Sequence, residues 1–458
     1  MKADGGKGTA LYRPAYDAGN QTGAEKMLEA ELDRISNYSK RNIKVENLAC
    51  LITKENLEEI HRKMDGKKAV GVDHVSKAEY DERLQTNLNT LIKRMKNQSY
   101  YPQSCRRVYI EKPGSNKKRP LGISCYEDKL VENNVAAILN AIYEEKQYDF
   151  SYGFRPRRNC HQAIKEICKH LRSDKVNYVV EADIRSFFDS MDHEWLIKFL
   201  EHDIADKRFI EIIRRMLKAG ILENGKFLEH EAGSPQGNGS SPVLANVYLH
   251  YVLDMWFEIR MKKQFRGEAY LIRYADDFIG MFQYKADAEL FYAQMRERFM
   301  KYGLELAEEK TRILEFGRFA ATNRKERNEG KPESIDFLGF TLYCSTNKWG
   351  KFTVKLKTNR KKMKTKLVKL NVWLRDNREL GAVEMIKRIN LSLNGHYRYY
   401  GVSYNFRCMR GFRFQVIKYL FKWLNRRSQK KSYTWKQFKD LLKYYPIVYP
   451  KIYVNLFE

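Results

Sequence analysis

Asp276-Asp277 stands at the junction of two apolar runs, Leu271-Ile272-Arg273-Tyr274 before it and Phe278-Ile279-Gly280-Met281-Phe282 after it. No other feature of the chain narrows its fold so far. Apolar runs this short read as buried strands, and two of them meeting at a polar apex make a hairpin. Carboxylates in such a frame are costly unless something positive balances them. A solvated turn in which Asp only supports the backbone needs no apolar frame. A third acid, Asp183, follows Val176-Asn177-Tyr178-Val179-Val180-Glu181-Ala182, a β-branched run that reads as another strand. Acids at strand ends suggest a divalent metal pair, because hard Mg²⁺ takes carboxylates together with substrate phosphates. Two such ions about 4 Å apart can activate a hydroxyl and stabilise a leaving pyrophosphate.

The rest of the chain alternates helical and extended patterns. Residues 24–99 are helical in period, interrupted by a loop at Lys67-Lys68-Ala69-Val70-Gly71-Val72-Asp73. Residues 101–123 read as two strands around the turn Pro113-Gly114-Ser115-Asn116. Helices are expected at 127–147, 193–203, 206–219, 241–262 and 286–302, and strands at 334–343 and 351–356. From there to about residue 442 the pattern is helical. Seven scattered cysteines without a Cys-x-x-Cys pair argue against a zinc ribbon or a disulfide framework. No apolar run is long enough to span a membrane and no secretory signal is recognisable, so a reducing, cytoplasmic setting is expected.

Charge is the loudest compositional fact. The chain carries +28, yet residues 347–458 alone hold 28 basic and five acidic residues, leaving only +5 on the preceding 346. A near-neutral body with a strongly basic end is the footprint of a polyanion binder. The same segment has 21 aromatic residues, which a disordered basic arm would lack. It is expected to fold as a basic helical unit.

Seven ordered motifs, followed by an eighth segment, carry a family resemblance. They are Lys112-Pro113 with Arg119-Pro120-Leu121-Gly122-Ile123; Ser151-Tyr152-Gly153-Phe154-Arg155-Pro156; Asp183-Ile184-Arg185-Ser186-Phe187-Phe188-Asp189; Gly233-Ser234-Pro235-Gln236-Gly237 with Ser241-Pro242-Val243-Leu244-Ala245-Asn246; Tyr274-Ala275-Asp276-Asp277; Lys310-Thr311; and Phe337-Leu338-Gly339-Phe340. After them comes Asn394-Gly395-His396-Tyr397-Arg398-Tyr399-Tyr400-Gly401. Together they make the chain resemble a group II intron-encoded reverse transcriptase and maturase over roughly residues 40–458. The resemblance implies an α+β, right-hand polymerase: fingers, a palm of antiparallel sheet backed by helices, and an all-helical thumb or maturase domain. The corresponding boundaries are 1–100 for an N-terminal extension and helical fingers part, 101–345 for fingers and palm, and 346–458 for the thumb.

Roles follow from the resemblance motif by motif. Asp183 and Asp276, with Asp277 beside them, would be catalytic and hold two Mg²⁺ ions, for which Mn²⁺ can substitute; the Ile184 carbonyl would complete a metal shell. Lys112 and Arg119 would clamp the triphosphate of the incoming nucleotide. The Phe188 ring would clash with a 2′-hydroxyl and so select deoxynucleotides. Gln236, flanked by Pro235 and Gly237, would touch the nucleotide and its template partner. Arg155, Pro235, Gly237, Tyr274 and Lys310 would lie along primer and template, with Lys310 near the palm acids as a balancing cation, although it reads nearly as well as a surface lysine. Leu338 and Gly339 would form the primer grip, with the glycine allowing close backbone approach. Lys355, Lys357, Arg360, Lys361, Arg426 and Arg427 would contact duplex phosphates, and Tyr399, Tyr400, Trp423 and Trp435 read as thumb core. The fourth motif departs from the family's frequent Thr-Pro-Gln-Gly-Gly, with Ser234 in place of Thr and Asn238-Gly239 after Gly237. That puts only template or fidelity behaviour in question.

The implied function is RNA-templated DNA synthesis from a DNA or RNA primer with dNTPs, in a cytoplasmic ribonucleoprotein with intron RNA and no membrane partner. Oligomeric state stays open. No HNH-type endonuclease segment with paired cysteines is seen, so the chain is expected not to cut a second DNA strand itself. The rival readings are a splicing cofactor acting mainly through RNA binding, a reverse transcriptase recruited to defence or repair, and an RNA-dependent RNA polymerase. Phe188, and Ala275 where Gly would precede the paired aspartates, speak against the last.

Overall fold

A computed structural model describes residues 23–111, 118–223, 226–228, 232–234, 237–427 and 432–457, with side chains from residue 28. Lys112, Pro235 and Gln236 lie outside the described residues. The described strands are β1 (Cys105–Glu111), β2 (Lys118–Ile123), β3 (Tyr178–Ala182), β4 (Ile221–Glu223), β5 (Lys226–Leu228), β6 (Ala269–Tyr274), β7 (Asp277–Phe282), β8 (Arg312–Glu315), β9 (Ile335–Phe337), β10 (Phe340–Thr346) and β11 (Phe352–Thr358). The helices ahead of β3 are α1 (Gly23–Lys40), α2 (Lys54–Lys63), α3 (Lys77–Asp81), α4 (Leu84–Lys96), α5 (Tyr126–Tyr143) and α6 (Cys160–Ser173). Those between β3 and β9 are α7 (Phe187–Ser190), α8 (His193–Asp203), α9 (Lys207–Lys218), α10 (Ser241–Leu249), α11 (Lys285–Lys301) and α12 (Ala320–Glu326). After β11 come α13 (Arg360–Asp376), α14 (Ala382–Tyr400), α15 (Phe406–Leu424) and α16 (Trp435–Tyr444).

The central sheet has the order β6-β7-β3-β8 and is antiparallel throughout. Its strands bury both faces, which is why they read as continuous apolar runs rather than as alternation. Val180, Phe278 and Phe282 face one core, where Phe291, Met295 and Phe299 of α11 pack. Their neighbours Val179, Ile279 and Met281 face a second core with Ile164, Ile167 and Leu171 of α6. The two-residue period of the strand sorts one sequence into two cores. A third core, built on Leu374, Ile389, Leu393, Phe412 and Leu420, holds the C-terminal helices together.

Several elements differ from the sequence reading. β8, β4 and β5 are three or four residues long, too short for a period to register, and exist because a neighbour pairs with them: β8 with β3, and β4 in parallel with β1. The helix expected over 241–262 begins as α10 but then winds as π-helix at His250–Asp254 and Phe257–Met261. β11 falls within 346–458 yet pairs along its whole length with β10, so the helices of that region begin at Arg360. Lys355 and Lys357 therefore lie on a strand, not on the helix that carries Arg360 and Lys361. All seven cysteines are free thiols. Among the described residues no helix is long and apolar enough to cross a membrane.

Candidate active site and nucleic-acid interface

Tyr274 pairs with Asp277, so Ala275 and Asp276 form a two-residue turn between β6 and β7. Ala275 sits at φ +58°, a region that penalises larger side chains. β7 also pairs with β3, with Ala182 opposite Phe278, and this register brings Asp183 beside the turn. Carboxylate oxygens of Asp183, Asp276 and Asp277 all lie within 4.8 Å of one another, and all three residues are half-buried. Three hard oxygen donors at this spacing fit a divalent ion of the magnesium type. Lys310 Nζ forms an ion pair with Asp183 Oδ2. The backbone beyond β3 is held by residues 305–307: Ala307 N donates to Asp183 O (2.8 Å) and Arg185 N to Glu305 O (2.8 Å). Those bonds use the Asp183 carbonyl and the Arg185 amide rather than the Ile184 carbonyl.

The turn is braced from behind. Arg273 is fully buried and ion-pairs with Asp254, which is also fully buried; its Nε donates to Asp254 Oδ1 at 2.7 Å. Its Nη1 donates to Asn246 Oδ1 (2.9 Å) and to the carbonyl of Ala275 in the turn itself (3.1 Å). Nη2 donates to Gln147 Oε1 at 3.2 Å. Asp254 closes the first π-helical stretch, and such widenings frequently occur at functional sites. The sequence reading had Arg273 only as part of an apolar frame. An Arg inside a strand otherwise made of Ala, Tyr, Leu and Ile is the available signal.

The Ser151-Tyr152-Gly153 segment packs on the same turn. Tyr152 N donates to Arg273 O at 2.8 Å, and Asn246 Nδ2 to Gly153 O at 2.8 Å. A Cβ on Gly153 would stand 2.1 Å from Ala275 N, so glycine is required there. Arg155 corrects an expectation. It is 5% exposed, pairs with Glu144 at 3.0 Å, and donates to the carbonyls of Tyr148 (2.7 Å) and Ser151 (2.8 Å). Its guanidinium is committed to holding this loop and is not presented to a template phosphate.

The remaining candidates lie on several other elements. Phe187 is buried in the first core, while Phe188 is half-buried with its ring edge-on to Phe154, centroids 6.3 Å apart. Ser234 N donates to Phe188 O at 2.7 Å, tying the fourth motif to this turn. Gly237, at φ +114°, lies against β2: a Cβ there would meet Gly122 O at 2.7 Å. Arg119 is half-buried on that same strand. Glu132 of α5, fully buried, accepts from Gly239 N (2.9 Å) and Ser124 Oγ (2.5 Å). Burial pushes its carboxyl up to about 7.

Leu338 and Gly339, at φ +47° and +81°, make the two-residue turn between β9 and β10. Both central residues at positive φ match the primed turns that suit hairpins. Tyr399 OH donates to Leu338 O at 2.7 Å, and Asn359 N to Gly339 O at 2.9 Å, so the C-terminal helical region supports this turn directly. Arg360, Lys361 and Arg426 are exposed, and Lys357 lies exposed on β11. Arg427 is turned partly inward, donating to Leu380 O at 2.6 Å, which removes it from a purely phosphate-facing role. Trp423 is core as expected, but Trp435 is half exposed and stacked on Phe421.

Comparison with known proteins agrees with this geometry. Residues 110–342 match the family model described as reverse transcriptase (RNA-dependent DNA polymerase). The group II intron-encoded protein LtrA of Lactococcus lactis subsp. cremoris is 42% identical over 175 residues, 38% of this chain and 29% of that protein. Protein YkfC of Escherichia coli (strain K12) is 32% identical over 270 residues, 52% of this chain and 71% of that protein. An uncharacterized 91 kDa protein in the cob intron of Schizosaccharomyces pombe is 36% identical over 180 residues, 39% of this chain and 22% of that protein. The chain thus spans less than a third of the Lactococcus and Schizosaccharomyces relatives in the matched segments. With half of its length inside the family model and the three acids gathered at one hairpin apex, the chain belongs to the reverse transcriptase family and is homologous to group II intron-encoded proteins.

Proposed function

We propose that the chain is an RNA-directed DNA polymerase of the group II intron type. It would add dNTPs to a primer 3′-hydroxyl on an RNA template and bind intron RNA in a cytoplasmic ribonucleoprotein. The observation that carries this reading is the convergence of Asp183, Asp276 and Asp277 across β3 and β7. Those carboxylates would hold two Mg²⁺ ions, which supply Lewis-acid polarisation of the attacking hydroxyl and of the triphosphate. The protein's own share is positioning. Arg273 holds the turn through the Ala275 carbonyl, and Lys310 offsets the charge of Asp183. Phe188, on the short helix α7 that follows β3, would exclude a 2′-hydroxyl from the sugar position. The Leu338-Gly339 turn would carry the primer end. Lys112, Arg119 and Gln236 would contact the nucleotide. The exposed cations Lys357, Arg360, Lys361 and Arg426 would bind duplex phosphates.

The test is extension of a DNA primer on an RNA template with dNTPs and Mg²⁺. Extension by the wild type that disappears in Asp276→Ala/Asp277→Ala supports the reading. A folded wild type that binds RNA and does not extend would overturn it in favour of a splicing cofactor. Phe188→Ala should raise incorporation of ribonucleotides relative to deoxynucleotides, and an unchanged ratio would remove the sugar-gate role.

A further inference from the structure

The β10–β11 hairpin ends in an aromatic side chain that burial does not explain. Trp349, at the tip, is 72% exposed. A ring of that size offers a large flat apolar face for a partner to cover. Its backbone is nevertheless well held. Asn347 Oδ1 accepts from the amides of Trp349 (2.9 Å) and Lys351 (3.0 Å), and Gly350 turns at φ +76°. Across a groove of about 490 Å³ stands Tyr404, 48% exposed. Tyr404 sits at φ +67°, an outlying conformation for an aromatic residue. It is clamped between Ser403, whose amide bonds Val454 O, and the fully buried Asn405, whose side chain bonds Thr358 and Tyr400. Two rings are thus presented to solvent by constrained backbone, rather than trailing from mobile loops.

The groove also carries its own charge. Lys348 Nζ lies 4.4 Å from the Trp349 ring centroid and Lys355 Nζ 5.6 Å from that of Tyr404. The other lining residues, Thr346 and Asn347, are polar, so no aliphatic side chain lines the groove. Rings without an aliphatic surround suit flat partners, and lysines beside rings suit flat partners that carry phosphate. β10 runs seven residues from the Leu338-Gly339 turn to this tip, a separation of roughly 20 Å at strand rise. The groove is therefore remote from that turn.

We propose that Trp349 and Tyr404 form a stacking site for unpaired nucleotides of single-stranded RNA, with Lys348 and Lys355 taking the adjoining phosphates. Duplex presents no free base faces, so the site distinguishes unpaired from paired RNA. The choice of RNA as ligand rests on the proposed function; the stacking itself does not.

The experiment is equilibrium binding of the full chain to three probes: a short single-stranded RNA, the same oligonucleotide with abasic positions, and a blunt RNA duplex. A single-stranded DNA of the same sequence separates RNA preference from stacking. Trp349→Ala and Tyr404→Ala should each weaken single-stranded RNA by roughly fivefold or more, the scale of one lost base–aromatic stack. Both should leave abasic and duplex binding unchanged. Trp349→Phe should retain most of the affinity. Equal weakening on all probes, no weakening of single-stranded RNA, or a wild type that binds abasic and normal strands alike would each overturn the proposal. Trp349 is exposed enough that its removal threatens no core, which keeps the test decisive if Tyr404→Ala misfolds. Primer extension on a short template should be unchanged in Trp349→Ala, so failure of the stacking site and failure of the polymerase reading give different results.

Discussion

The central sheet and the C-terminal helices both handle charge, and they do it in opposite ways. In and around the sheet, charges are few and the cations are paired: Arg273 with Asp254, Lys310 with Asp183, Arg312 with Glu181. From residue 347 onward there are 28 basic residues against five acids. The described ion pairs there are three surface contacts close in sequence, Arg375–Asp376, Lys387–Glu384 and Lys443–Asp440. On the proposed function, the first region would work by geometry, where a single misplaced group matters, and the exposed cations of the second by charge density. The sheet should accordingly fail abruptly under substitution and the helices gradually.

The largest expected effect comes from the acids. Asp276→Ala/Asp277→Ala should lower primer extension by at least roughly a thousandfold, about 4 kcal/mol, while RNA binding stays at the wild-type level. Parallel loss of binding would break the separation of the two regions. Next is the brace. Arg273→Ala strands a buried Asp254 and should cost about 3–5 kcal/mol of stability, read by urea unfolding. The apolar pair Arg273→Met/Asp254→Leu should regain much of that stability yet leave extension impaired, because the Ala275 carbonyl has still lost its donor. Recovery of both would reduce Arg273 to a purely structural residue.

A smaller effect is tied to pH. Glu132 holds its proton up to about pH 7 in the folded state, against an ordinary value of 4.5. Between those values the folded chain binds more protons than the unfolded one, so this group's contribution to stability falls as pH rises through the window, by up to about 3 kcal/mol. Glu132→Gln can keep both hydrogen bonds, with Gly239 N and Ser124 Oγ, and should flatten that slope and be the more stable protein at pH 8. A slope identical to wild type would assign the pH dependence elsewhere. The smallest effects per residue are expected in the basic region. Replacing Lys357, Arg360, Lys361 and Arg426 together by Ala should lower the salt dependence of RNA binding by up to about 3 in log–log slope, with each single change well below tenfold. A single substitution that abolished binding would show that this region, too, depends on geometry.

What could be read from the residues follows how local each signal is. The β6–β7 hairpin and its acid apex were legible because apolar runs and a polar break lie within a dozen residues. The third acid was legible as the end of a β-branched strand, but that strand's neighbour on its other edge, β8, was not. Arg155 misled because a motif names a residue without naming its partner, and Glu144 lies eleven positions earlier. Nothing in the residues around Trp349 tells that it stays exposed while Trp423 is buried; that difference comes from where each element packs.

The sequence by itself determined the family, through the order of its motifs, and determined where positive charge accumulates, through composition. It also marked the longer runs that become strands, since near-continuous apolar patterns are local properties of a chain. Only the tertiary structure decided which charges meet. Asp183 reaches Asp276 and Asp277 by strand register. Asp254 reaches Arg273 across a π-helical turn. Tyr399 reaches Leu338 from a helix 61 residues on. These contacts decide what a carboxylate or a guanidinium does. Their energies depend on the distance and burial of both partners, and neither is written in the spacing of residues along the chain.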